Sequence, residues 1–195
     1  MPLLAANACV LIVIDLQPGF YVNRPDVDEG AFSAVVTTGA KLVGLADLLA
    51  IPVVVTEEEP DRNGGTAPEV LERLPAGAPV FEKPVFDLCA VPEIWSAVER
   101  TGRAHAVLAG LETDVCVLHS ALGLLERGLT VSAVVDALYS PPPDHSIGLE
   151  RLRSNGVDLL NAKGAFYDLT RTPARASSLR RAAPGLAPTP PHLPV

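Results

Sequence analysis

The chain is 195 residues long, 48% hydrophobic and 19% charged, with a formal net charge of -8 and a pI near 4.9. That length supports one domain with a sizeable core, and the acidic balance gives a phosphate backbone or an anionic membrane face little to grip, since both need clustered Lys and Arg. Neither nucleic acid nor a membrane is an expected partner, and three cysteines in a chain too large to need stapling point to free thiols in a reducing cytoplasm.

The N-terminal apolar stretch has no basic leader segment and is stopped by Asp15 before it could span a bilayer, so residues 9–14 read as a buried strand. A helical period follows over residues 32–50, then a second strand over 52–56. Residues 57–79 carry Glu57, Glu58, Glu59, Pro60, Asp61, Asn63, Gly64 and Gly65, which is turn chemistry without a period, and predict a long loop. Further strands are expected at 79–82, 104–109, 130–135 and 157–160, with helices at 92–101, 114–127, 143–155 and 165–170. Gly102, Gly128 and Gly156 end three of those helices in the manner of C-caps. The basic grouping from Arg171 to Arg181 reads as a solvated helix end. Residues 182–195, with five of the 19 prolines, read as a disordered or draped tail outside a domain of residues 1–181.

Apolar strands alternating with helices are the signature of an α/β fold with a parallel sheet buried on both faces. Ligands of such sheets bind beyond the carboxyl ends of the strands. Three polar residues stand at such ends: Asp15 closes VLIVID, Lys83 closes PVFEK, and Cys116 starts the helix after AVLAG. A cysteine in a first helical turn feels the positive end of the helix dipole, and a nearby ammonium adds to it, both favouring thiolate. The same turn offers N–H groups to an oxyanion. Cys116 is thus a candidate nucleophile, Asp15 its proton acceptor and Lys83 the group that holds the charges in register. Each also has a structural explanation: a cap, a solvated lysine and a small core residue.

The strings IDLQPGF, FEKPVFD and AGLETDVCV, followed by ALGLLERGLTVSAVVDA, resemble the isochorismatase-like cysteine hydrolases over about residues 8–170. The resemblance implies an Asp–Lys–Cys triad of Asp15, Lys83 and Cys116 on a three-layer α/β/α fold whose six-stranded sheet has the order 3-2-1-4-5-6. It also implies a non-proline cis peptide at Leu111–Glu112 and an oxyanion site of the Glu112 and Cys116 backbone N–H groups. A homo-oligomer, dimer or tetramer, is implied too, and Trp95 is a candidate either for its contact or for the core. Metal-dependent nicotinamidases of the family carry histidines on the loop after the second strand. Here that loop has none, since the four histidines are His105, His119, His145 and His192. No metal and no cofactor are therefore expected, and the three loop glutamates read as a solvated loop mouth, with cation binding the lesser alternative.

The activity implied is hydrolysis of a small-molecule amide or carbamoyl bond through a Cys thioester. Phe20, Phe86, Leu111 and Val115 are candidates by position for either the substrate pocket or the core. Three alternatives stay open: a reactive-thiol sensor, a non-catalytic homo-oligomeric scaffold, and an isochorismatase-type vinyl-ether hydrolase, whose dianionic substrate the acidic loop would repel.

Overall fold

The computed structural model describes residues 3–22 and 24–187. Six parallel strands form one sheet: β1 (Cys9–Ile14), β2 (Val53–Glu58), β3 (Val80–Lys83), β4 (His105–Leu111), β5 (Thr130–Tyr139) and β6 (Asp158–Leu160), in the order β3-β2-β1-β4-β5-β6. The helices are α1 (Glu29–Leu48), α2 (Pro60–Asn63), α3 (Pro68–Leu71), α4 (Pro92–Arg100), α5 (Cys116–Glu126), α6 (Asp144–Ser154), α7 (Ala162–Thr170) and α8 (Pro173–Ala182).

The central strands are apolar throughout because both faces are covered, and their side chains alternate between two cores. Leu11, Val13, Val53, Val55, Val107 and Ala109 face the layer built by α1, α3, α7 and α8. Val10, Ile12, Ile14, Val54, Ala106 and Leu108 face α4, α5 and α6. Trp95 packs against this second core, with the Arg127 guanidinium 5.0 Å above its ring.

Strands β2 to β5 each end later in the chain than hydrophobicity alone indicates, because ladder pairing carries the chain past its apolar run. β2 continues to Glu58, which pairs with Lys83, and β4 continues to Leu111, which pairs with Tyr139. Residues 57–79 are therefore not a single loop: their start is strand, and they contain α2 and α3. Of the C-terminal segment, residues 183–187 are described and Leu186 reaches Gly44 of α1; residues 188–195, with His192, lie outside the described residues.

The register Ile14↔Gly110 brings β1 and β4 to the same sheet edge. There Gly110 has φ 125° and passes so close to β1 that an added Cβ would sit 1.8 Å from the Ile14 carbonyl oxygen. Any side chain at this point meets backbone, which cannot move aside without breaking the ladder. Gly110→Ala is expected to cost at least about 3 kcal/mol, combining a forbidden φ with a main-chain clash. Urea unfolding of the two proteins measures it, and a loss below about 1 kcal/mol would contradict the close approach.

Candidate active site

β1 is followed at once by a left-handed residue, Asp15 at φ 48°, a conformation that a short polar side chain tolerates better than most. The turn aims the carboxylate across the sheet edge. One oxygen, Oδ1, accepts a 2.7 Å hydrogen bond from Thr56 Oγ1 of β2, and the other, Oδ2, lies 2.6 Å from Lys83 Nζ at the end of β3. The lysine also donates to the Val85 carbonyl at 3.0 Å. Asp15 and Lys83 are each about 1% exposed, so this is a buried ion pair whose charges are shielded from water.

Cys116 opens α5, where no preceding turn supplies an acceptor for its N–H, and is 3% exposed. The ligand atoms of Asp15, Glu58 and Cys116 all lie within 4.8 Å of one another. The structure thus brings together the three residues read from the sequence and adds Glu58, whose Oε2 is 4.0 Å from Cys116 Sγ.

The three neighbouring glutamates have separate partners. Glu57 Oε1 accepts from both the N–H and the hydroxyl of Thr66 at 2.7 Å, which folds the segment after α2. Glu59 is exposed beside Arg62 at 3.4 Å. Glu58 is held by its backbone: its N–H donates to Gln17 Oε1 at 2.7 Å, and its carbonyl accepts from Gln17 Nε2 at 3.1 Å and Asn63 Nδ2 at 2.9 Å. Gln17 is fully buried, and Gly19 behind it leaves room for the Asn63 carbonyl, 1.9 Å from where a Cβ would be. The QPG of the first motif is therefore a clamp on β2's last residue.

Burial governs the electrostatics. It pushes the Cys116 thiol up to about 12, with the Asp15 carboxylate adding to the rise and Lys83 opposing it. The thiolate expected from the helix dipole and the ammonium is thus not the resting state, because desolvation of a small anion outweighs both. Burial likewise holds Asp15 above the usual carboxylate range, against the pull of Lys83 and Thr56. For Lys83 burial works against the charge, but Asp15 and Cys116 outweigh it and hold the ammonium above the usual lysine value. Glu58 is raised by desolvation, with Lys83 opposing and Asp15 reinforcing the rise.

The remaining motif residues fix the nucleophile loop. Thr113 donates its N–H to the Tyr139 carbonyl at 3.1 Å and pairs through Oγ1 with His145 Nδ1 at 2.8 Å, while Asp114 accepts from Ser140 Oγ at 2.6 Å. Gly148 of α6 lets that helix lie against Asp114, whose N–H would be 2.8 Å from an added Cβ. The Glu112 carbonyl accepts from the N–H groups of Val115 and Val117, and its side chain accepts from Tyr21 Oη at 3.2 Å. The cis peptide expected at Leu111–Glu112 is not found there: among the described residues the cis bond is Pro142–Pro143. Leu111 stays in register with Tyr139 to the end of β4, so the chain reaches Glu112 as ordinary trans strand.

The four pocket candidates separate. Val115 packs at the edge of the core that holds Cys116, and Phe86 is 49% exposed with its ring 5.6 Å from that of His119. Leu111 is fully buried in the opposite core, and Phe20 packs against that same core. His105 lies at the other end of the sheet, where its Nε2 meets Ser132 Oγ at 2.8 Å.

Residues 9–163 match the family model described as Isochorismatase domain. The chain is 34% identical over 169 residues to isochorismatase domain-containing protein 2A of Mus musculus, covering 85% of this chain and 76% of that protein. It is also 34% identical over 175 residues to the secreted isochorismatase effector Isc1 of Phytophthora sojae, covering 85% and 79% respectively. Among solved structures, the MAR1 ribonuclease of Caenorhabditis elegans superposes with TM-score 0.82 at 29% identity, covering 98% of this chain and 97% of that one. YcaC from Pseudomonas aeruginosa, solved with hexane-2,5-diol and covalent acrylamide, superposes with TM-score 0.80 at 26% identity, covering 94% and 93%.

Proposed function

We propose, from the premise that the chain belongs to the isochorismatase-like hydrolase family, that it is a cysteine hydrolase of small-molecule amide or carbamoyl bonds. The observation that carries this reading is a thiol at a helix start within 4.8 Å of a carboxylate that is itself ion-paired to a buried lysine.

With the thiol protonated at rest, sulfur attacks the substrate carbonyl as its proton passes to Asp15, so the thiolate forms only as the C–S bond does. Electrons move onto the carbonyl oxygen, where the Cys116 N–H at the start of α5 stabilises them. Collapse of the tetrahedral species breaks the C–N bond, and Asp15 returns the proton to the departing amine. Water then gives a proton to Asp15 and adds to the thioester; the C–S bond breaks and the sulfur recovers its proton. Lys83 stays charged throughout and holds Asp15 in place. The Pseudomonas neighbour was solved with covalent acrylamide, a compound that nucleophiles attack at its conjugated double bond, which supports nucleophilic chemistry in this fold.

A peroxide-sensing thiol is less well supported. Sensors need an exposed thiolate of low pKa, whereas Cys116 is buried and its thiol is pushed up to about 12. A ribonuclease activity, suggested by the name of the Caenorhabditis neighbour, fits poorly with a net charge of -8 and a carboxylate beside the nucleophile. Ammonia release from a panel of small amides, ureas and carbamoyl compounds tests the proposal, with intact-protein mass spectrometry to catch the acyl-enzyme. Absence of both, across the panel, would overturn it.

Asp15 must be ionised to accept the thiol proton, so turnover is expected to fall as pH drops through its pKa. Because burial raises that pKa above the ordinary 3.8, the acidic limb of the kcat/KM profile should lie above the ordinary carboxylate range. A limb at or below 3.8 would remove Asp15 as the base.

A further inference from the structure

We infer that Glu58 sets the substrate specificity of this site: its carboxylate, beside the nucleophilic sulfur, accepts a hydrogen bond from an N–H group of a neutral or cationic substrate and turns away substrates bearing an anion next to the scissile carbonyl. This rests on the cysteine-hydrolase reading and names the substrate class within it.

The charges at the sheet edge carry the argument. Asp15 and Lys83 are paired at 2.6 Å and cancel. Glu59 has Arg62 beside it, and Glu57 is occupied by Thr66. Glu58 Oε2 lies 4.0 Å from the sulfur, its oxygen and that of Asp15 fall within 4.8 Å of Sγ and of each other, and Lys83, ion-paired to Asp15, also acts on Glu58 from beyond ion-pairing distance. An arriving substrate therefore meets two carboxylates and a single ammonium at the atom that will attack it, and Glu58 is the carboxylate not ion-paired to that ammonium. The placement is built rather than incidental, since the Glu58 backbone donates one hydrogen bond to the side chain of buried Gln17 and accepts two from those of Gln17 and Asn63, which hold it at the end of β2, in register with Lys83. The half-buried side chain is not solvated away as an exposed glutamate would be, so its field at 4 Å is weakly screened. Within the reaction proposed, an amide or carbamoyl NH2, or an ammonium near it, supplies the complementary donor.

Alkylation of Cys116 tests this without needing a substrate. Iodoacetamide and iodoacetate react alike, sulfur displacing iodide from the methylene carbon as the thiol proton leaves, and differ in carrying a neutral amide or an anion. Rates at Cys116 are read at pH 8 by peptide mass spectrometry on the full chain, and the neutral-to-anionic ratio is divided by that of glutathione. In the wild type this normalised ratio is expected to be on the order of tenfold; in Glu58→Gln it should fall to near one, and Glu58→Asp should retain most of it. A wild-type ratio near one overturns the proposal and requires no variant, so a poorly folded mutant cannot shield it. A wild-type excess that Glu58→Gln keeps overturns it as well. The hydrolase reading fails separately, through absence of ammonia release and acyl-enzyme, whichever way the alkylation ratio falls.

Discussion

Cys116→Ala is expected to fold as the wild type does and to lose turnover by a factor on the order of a thousand or more, because removing a covalent nucleophile removes the whole two-step path rather than one contact. Alanine suits the position: Cys116 is 3% exposed among Val117, Leu118 and other apolar neighbours, and its N–H at the start of α5 does not depend on the side chain. The melting temperature should therefore move by only a few degrees. Ammonia release and intact mass report the outcome together. Turnover above about a tenth of wild type in a folded Cys116→Ala protein would exclude a thioester. Cys9 and Cys89 are also free and buried. Neither joins the cluster of Asp15, Glu58 and Cys116, so neither is positioned to take over.

Lys83→Met tests the ion pair and should act on stability and rate together. Met fills much of the lysine's volume but leaves Asp15 without its counter-ion in a site 1% exposed to water. Breaking a buried pair from one side costs about 3–5 kcal/mol, since the remaining charge is uncompensated. Asp15 in the variant relieves part of that cost by taking up a proton, which pushes its pKa further above the unfolded value. The folded state then binds more protons than the unfolded state between those two pKa values, so stability falls as pH rises through that interval. The deficit against wild type should be large at pH 7 and shrink toward pH 4. Catalysis should suffer at neutral pH because a protonated Asp15 cannot accept the thiol proton. Urea melts at the two pH values settle the point: a deficit independent of pH, or below about 1 kcal/mol at pH 7, would contradict the buried pair.

The sheet was legible because its central strands are apolar on both faces, and β1 came out with the same ends in sequence and structure. β2 did not, and the cost was one site residue. Stopping β2 at Thr56 put Glu58 in a loop, where three consecutive glutamates look alike. The criterion that singled out Asp15 and Lys83, a polar residue closing an apolar strand, selects Glu58 as well once the strand is carried to its last paired residue. Hydrophobicity has no access to that end, since ladder hydrogen bonds hold Glu57 and Glu58 in the strand. Electrostatics were harder still. The helix start and the lysine are visible as residue types and both favour thiolate, but the desolvation that outweighs them depends on depth. The Thr113–His145 and Asp114–Ser140 contacts join residues 32 and 26 positions apart across β5 and α6, and no local pattern announces them.

Every strand is parallel, so the helix-to-strand turns all gather at the end of the sheet opposite the thiol. Gly102, Gly128 and Gly156 lie in three of these turns, each with a positive φ that favours glycine and with open space within 4 Å of where a Cβ would be. Asp15 and Lys83, by contrast, are spaced by ladder register, and the Cys116 loop by its bonds to Tyr139 and His145, so neither depends on the length of those turns. The molecule consequently has one end whose dimensions are fixed by hydrogen bonding and another free to lengthen. Fluorophores, affinity tags or inserted segments placed at the second leave the chemistry at the first undisturbed, and natural drift in chain length has the same latitude there.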